Sequence, residues 1–348
     1  MKKDLYKFPT TFRLESGKQI QGLELAYHTA GSLHKNSKVV WICHGLTANS
    51  NPEEWWTDLV GEGKLFNSQH YFLICVNIPG SCYGSTGPLS INPETGSPYY
   101  TSFPEFTITD IIRSFDHLRK HLGIEKIHTL VGASIGGCQV LEWAVQSPTL
   151  IEHAIAIACS AKTSPWAAAF NESQRMAIFS DSSYYENHPK GGLEGLKTAR
   201  SIALLSYRNS TIYNKAQQST GEHFLDQKVF SYQRYQGEKL SKRFNAYSYV
   251  ALSRSLDSQD LGRTTHSITR SLSKIRAKTL IIAIKTDLLF TLEEHEYLHK
   301  HIPNSRLRVI NSTYGHDGFL IESTRISQLI QEFYNRKSTF YPNLRKAI

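Results

Sequence analysis

Cysteine is scarce in this 348-residue chain, and its arrangement builds no framework. The five residues, Cys43, Cys75, Cys82, Cys138 and Cys159, are odd in number and show no Cys-x-x-Cys or zinc-ligand spacing. Most sit in apolar runs such as Ile42-Cys43 and Ile74-Cys75-Val76, so they read as small buried hydrophobes in a reducing compartment, with no metal site. Long apolar runs are missing too. No window approaches 18 consecutive apolar residues, which excludes a membrane-spanning helix as an expectation. The N-terminal Met1-Lys2-Lys3-Asp4-Leu5-Tyr6-Lys7 lacks the apolar core of a signal peptide, and a cytoplasmic protein is expected. Internal repeats and low-complexity segments are absent. The formal charge is +9, but the basic residues are scattered, apart from a cluster around Lys239-Leu240-Ser241-Lys242-Arg243. That pattern argues against nucleic acid as a partner and suits a phosphate-bearing small molecule equally well.

What the chain does have is Thr129-Leu130-Val131-Gly132-Ala133-Ser134-Ile135-Gly136-Gly137. An apolar, β-branched run climbs into Gly-x-Ser-x-Gly, and a helical pattern follows at once in Cys138-Gln139-Val140-Leu141-Glu142-Trp143-Ala144. A bare Gly-x-Ser-x-Gly arises by chance in about one chain in ten of this length. Strand before and helix after turn it into a nucleophile elbow, a sharp turn that lifts Ser134 above a sheet. The strained turn calls for small neighbours at Gly132, Gly136 and Gly137. Ser134 would also lie at the positive end of the following helix.

Around this motif the chain alternates strands and helices. Residues 8–29 suggest an antiparallel pair at a sheet edge. Val39–Cys43 and Tyr71–Val76 are short, continuously apolar runs, as in strands buried on both faces. A loop from Asn77 to Pro104, rich in Gly, Pro and Ser, is too long for a simple connector and is expected to carry function. Thr107 caps a helix running to about Leu122, and Ile127–Val131 enters the elbow. Ala154–Ala158 is a further strand. From Ser160 to about Lys274 the strand runs disappear, and helical patterns rich in Arg, Tyr, Gln and Ser take over. The alternation resumes with a strand at Thr279–Ile284, a helix at Leu292–His301, a strand at Leu307–Ile310 and a last helix from Phe319 to about Tyr334. This places the chain in the α/β class with a mostly parallel sheet, residues 1–159 and 275–348 forming the core and 160–274 a helical insertion above the carboxyl ends of the strands.

A serine hydroxyl needs a positioned base. In a strand–elbow–helix architecture the partners follow in the order Ser, Asp or Glu, His. Of fifteen histidines, His316 lies just past the last strand, between Gly315 and Asp317-Gly318. His44 precedes the serine, and His121, His128, His153, His295, His299 and His301 fall on regular elements where a packed or solvated ring is the ordinary explanation. Asp287, just beyond the Thr279–Ile284 strand, is the acid that would hold the imidazole tautomer; its competing reading is a helix cap, and Glu293 and Glu294 are the alternatives. Two backbone N–H groups must face the oxyanion. Ile135, after the nucleophile, supplies one, and Leu46, in the His44-Gly45-Leu46-Thr47 loop, the other.

His44–Thr47, Asn77-Ile78-Pro79-Gly80-Ser81-Cys82-Tyr83-Gly84-Ser85-Thr86-Gly87-Pro88, Gln139–Trp143 and Gly315-His316-Asp317-Gly318-Phe319-Leu320 resemble signature segments of the homoserine O-acetyltransferase family. The resemblance runs from about Leu23 to the last helix and includes Tyr235-Gln236-Gly237-Glu238-Lys239. It implies an α/β-hydrolase core with a helical lid, usually a homodimer. It also implies acyl transfer from acetyl-CoA, a co-substrate rather than a resident cofactor, to the hydroxyl of homoserine in methionine synthesis. The family's substrate-binding positions fall on Arg200 and Asp317. Arg200 would clamp the amino acid's carboxylate and Asp317 its ammonium; Tyr207, seven residues past Arg200, shares its helix face.

The chain departs from the family pattern at four places. Ala is more usual at Gly45, Gly at Ala48, and Met at Ile135 and Cys138. All leave the backbone donors in place and bear on acyl preference. A succinyl donor, a serine acceptor and simple hydrolysis on the same triad stand as alternatives. Succinyl would need another cation near Ser134, for which Arg175 and Lys162 are candidates.

Overall fold

The computed structural model describes residues 1–218 and 228–335; residues 219–227 of the expected insertion and 336–348 of the expected core lie outside them. The strands are β1 (Lys2–Lys7), β2 (Phe12–Arg13), β3 (Gln19–Ile20), β4 (Glu24–Ala30), β5 (Val39–Cys43), β6 (Phe72–Val76), β7 (Ile127–Ala133), β8 (Ile151–Ile157), β9 (Lys278–Ile284) and β10 (Ser305–Ile310). Eight of them form one sheet in the order β1-β4-β6-β5-β7-β8-β9-β10. β4 is antiparallel to both β1 and β6, and from β6 to β10 every neighbouring pair is parallel.

The antiparallel edge differs from the expected pair within residues 8–29. β4 pairs instead with Lys2–Lys7, while β2 and β3 make a separate two-stranded ribbon. Only Tyr6 of β1 is buried, so the strand carries almost no apolar pattern. Its charged residues suit an edge that must not pair further.

The helices between the core strands are α1 (Ile108–His121), between β6 and β7, and α2 (Ile135–Gln146), between β7 and β8. Thr107 caps α1 in a capping box with Asp110. Between β8 and β9 come α3 (Pro165–Phe179), α4 (Leu193–Tyr207), α5 (Ser210–Gln217), α6 (Lys228–Ser241), α7 (Ala246–Asp257) and α8 (Ile268–Leu272). α9 (Leu292–His301) follows β9. After β10, α10 (Gly318–Ile321) and α11 (Ser323–Asn335) stand where one helix was expected, broken at Glu322.

Side chains alternate across the strands and fill two cores. Trp41, Cys43 and Leu130 face α1 and α2, where Trp41 meets Trp143 edge-on at 4.9 Å between ring centroids. Val40, Ile42 and Val131 face the other way, onto Trp56, Phe66 and Ile326, Leu329 and Ile330 of α11. The sheet is therefore dry on both sides, and polar chemistry is confined to the ends of its strands. No helix among the described residues is long and apolar enough to cross a membrane.

Candidate active site

Ser134 stands between β7 and α2 with φ 58° and ψ −127°, a conformation costing about 1–3 kcal/mol for a residue with a Cβ. Backbone bonds on both sides hold it there: its N–H donates to Ile157 O at 3.0 Å, and its carbonyl accepts Cys138 N–H at 3.0 Å. Glycine lets α2 come down onto the sheet. A Cβ on Gly136 would lie 2.2 Å from the Cys43 carbonyl oxygen, and one on Gly132 2.4 Å from that of Gly136.

His316 is delivered by the turn that follows β10. Gly315, at φ 64°, brings that turn against the end of α4, where a Cβ would meet the Tyr207 carbonyl oxygen at 2.9 Å. Thr286 Oγ1 accepts the Gly315 N–H and donates to Ser312 O, locking the β9 and β10 loops together. His316 Nε2 then lies 2.9 Å from Ser134 Oγ, and Nδ1 lies 2.7 Å from Asp287 Oδ2. Asp287 Oδ1 accepts the N–H groups of Leu289 and Phe290, at 2.8 and 3.1 Å. Thr291, not Asp287, caps α9, in a box with Glu294. All three side chains are buried.

Burial disfavours the charged form of His316, but the charge and hydrogen bond of Asp287, with Asp317 behind it, outweigh that and raise its pKa above the ordinary value. His44 is different. Burial lowers its pKa to about 4, Ile78 N–H donates to its Nε2, and Nδ1–H donates to Gly45 O. It is a neutral bracket for the loop after β5. Cys138, a nearby thiol on α2, is fully buried, and burial pushes its pKa up to about 12, which leaves it a poor nucleophile.

Ser134 and His316 open into a cavity of about 510 Å³, whose walls include Gly45, Leu46, Thr47, Trp55, Arg200, Tyr207, Arg243 and Asp317. The N–H groups of Leu46 and Ile135 donate to no protein acceptor among the described residues. Ile135 is the first residue of α2, and Leu46 sits within a turn closed by Ala48 N–H to Gly45 O. Arg200 has no carboxylate partner among the described residues, and its guanidinium carbon lies 5.5 Å from the Tyr207 ring centroid. The Tyr207 ring is 5.7 Å from that of His316.

Sequence reasoning missed two parts of this cavity and a cation that stands behind its Asp317. Arg208 Nε lies 2.6 Å from Asp317 Oδ2 but out of line for a hydrogen bond, leaving a close charge pair. It stands one residue past Tyr207, where α4 has ended, so helical spacing gave no hint. Trp55 and Glu54 reach the cavity from a short turn after β5. Arg243 was visible only as part of a basic cluster. Conversely, Arg175 and Lys162 are not cavity cations. Arg175 is buried against Asp257 at 2.6 Å and Glu172 at 2.7 Å, and Lys162 pairs with Asp260 at 2.9 Å. Each already has its counter-ion, and neither lines the cavity.

One group of possible metal ligands occurs among the described residues, His128, Glu152 and His153, with ligand atoms within 4.8 Å of one another. It lies at the opposite ends of β7 and β8 from Ser134. Each imidazole Nδ1 is already engaged, by Thr129 Oγ1 and by His128 O.

Residues 38–323 match the profile of the α/β hydrolase fold. Homoserine O-acetyltransferase of Cyclobacterium marinum is 47% identical over 96% of this chain and 95% of its own. Among solved structures, homoserine O-acetyltransferase from Bacillus anthracis superposes with a TM-score of 0.89 at 25% identity, covering 97% of this chain and 99% of that one. Esterase E22 does so at 0.84 and 24% identity, over 95% and 99%, a likeness of fold alone.

Proposed function

Because the chain belongs to the homoserine O-acetyltransferase family on the α/β hydrolase fold, we propose that it moves the acetyl group of acetyl-CoA onto the hydroxyl of L-homoserine by way of an acetyl ester on Ser134. It is an acyltransferase, and by that name it serves methionine biosynthesis.

In the first half-reaction His316 Nε2 takes the proton of Ser134 as Oγ attacks the thioester carbonyl. The amides of Leu46 and Ile135 hold the oxyanion. The C–S bond breaks, and the thiolate leaves with the proton from His316. In the second, the homoserine hydroxyl gives its proton to His316 and attacks the ester. The Ser134–carbonyl bond breaks, and Oγ recovers the proton. Asp287 keeps Nδ1 protonated and steadies the imidazolium in both.

The observation that carries this reading is the Ser134–His316–Asp287 chain of short contacts opening into a cavity that also holds Arg200, a cation with no carboxylate partner among the described residues, and an anion, Asp317. An α-amino acid has the matching charges. With Oδ2 of Asp317 facing Arg208, Oδ1 is the atom left for the substrate ammonium. We take the helical segment 160–274, described apart from 219–227, as the lid that keeps water from the ester. The large apolar side chains it exposes, Trp166, Met176, Leu205 and Tyr235, support a homodimer. Free, largely buried thiols suit a cytoplasmic setting.

Incubating the protein with acetyl-, succinyl- or propionyl-CoA against L-homoserine or L-serine, and reading product masses, tests donor and acceptor together. O-acetylhomoserine as the dominant product is expected. Acetate without ester would make it a hydrolase instead.

A further inference from the structure

Leu46 and Thr47 form the tip of the turn from Gly45 to Ala48, and the turn is fixed at its base from the core side. The Gly45 carbonyl takes both the Ala48 N–H and His44 Nδ1–H, and the bracket at His44 is completed by Ile78 N–H. The tip has another kind of anchor. Arg243, in the turn between α6 and α7, donates from Nη1 to the Thr47 carbonyl at 2.5 Å and to Tyr83 Oη at 2.7 Å. Its own carbonyl faces Cys82 Sγ at 3.6 Å, and Phe244 beside it packs edge-on against Tyr83. One side chain of the helical segment therefore ties together the loops that follow β5 and β6.

The Thr47 carbonyl shares its planar peptide with the Ala48 N–H, which donates to Gly45 O, and that carbonyl shares its peptide with the Leu46 N–H, so fixing the Thr47 carbonyl also steadies the Leu46 amide. We propose that Arg243 is a positioning residue for acyl transfer: through the Thr47–Ala48 peptide it braces the Leu46 amide toward the oxyanion from the helical segment, adding to the core-side bracket at His44, so that the oxyanion site is held from both sides only when that segment is seated. This rests on the assignment of Ser134 as nucleophile and Leu46 as an oxyanion donor. The alternative use of the same cation, pairing with phosphates of the acyl donor, makes a different demand. A phosphate contact matters only for donors that carry phosphate, whereas a misplaced amide slows every acyl donor.

The test is a rapid-mixing comparison of acetyl-CoA and p-nitrophenyl acetate, without acceptor, on wild type, Arg243→Ala, Arg243→Lys and Ser134→Ala. Thermal melts confirm that each variant is folded. For Arg243→Ala the acylation rate should fall about ten- to a hundred-fold with both donors alike, below the full loss of an oxyanion donor, with half-saturating donor concentrations little changed. Arg243→Lys keeps a donor that reaches one acceptor and should recover part of the rate. A wild-type rate with p-nitrophenyl acetate in folded Arg243→Ala, with only acetyl-CoA weakened, would overturn the proposal. Acylation surviving in Ser134→Ala would instead remove the nucleophile assignment beneath it, so the two failures are distinguishable.

Discussion

Asp287 uses both of its carboxylate oxygens, Oδ1 to order the loop after β9 through Leu289 and Phe290, and Oδ2 to hold His316. The raised pKa of His316 sets the sign of two pH effects. The base form grows as pH rises, so acylation should climb through a midpoint above about 6.5, the ordinary histidine value. The stabilising imidazolium–Asp287 pair works the other way, fully present below the unfolded-state pKa and lost as pH rises through the folded one. Asp287→Asn removes the charge that opposes desolvation, so the acylation midpoint should move to lower pH and the rate should drop; a pH–rate profile of acetyl-CoA consumption checks both. Arg200→Ala should spare acylation of Ser134 and slow transfer to homoserine about ten- to a hundred-fold, the worth of a charge-assisted pair in a closed site. Separate rapid-mixing measurements of the two half-reactions would show it, and an equal loss in both would mark Arg200 as a structural lid residue.

Among elements, the junction of β7, α2 and β5 leaves little room for change. Gly136→Ala would drive a Cβ into the Cys43 carbonyl at 2.2 Å, backbone against backbone, and should cost at least about 3 kcal/mol. Gly45→Ala meets only Phe319 Cζ at 3.7 Å and should stay within about 0.5 kcal/mol of wild type. Urea denaturation of the pair measures the contrast. The same glycines made this junction legible in the sequence, because a motif that demands close approach leaves its spacing behind. β1 was not legible. Its one buried residue, Tyr6, gives no alternation, and its partner strand is more than fifteen residues away. α1 and α9 were read nearly to the residue, α1 from Thr107 as its cap; in the structure capping boxes at Thr107 and Thr291 hold both starts, and Thr291 takes the place weighed for Asp287.

At the scale of the molecule, chain order carried Ser134, Asp287 and His316 into one constellation, since each follows a strand of the same parallel sheet. Contacts between the helical segment and the core could not be read that way. Arg243 to Thr47 spans 196 residues and Arg208 to Asp317 joins α4's end to the last loop, and neither has a periodicity. On the proposed mechanism those contacts bear on whether the acyl-enzyme meets an amino acid or water, which would separate a transferase from a hydrolase on one triad. The most direct measurement mixes the protein with acetyl-CoA alone, maps the acetyl group by peptide mass, then adds L-homoserine and follows the discharge. Expected is an acetyl group on the peptide containing Ser134, released as O-acetylhomoserine at a rate that rises with homoserine and far exceeds the rate to water. An acetyl group on another peptide, or a discharge indifferent to homoserine, would contradict it.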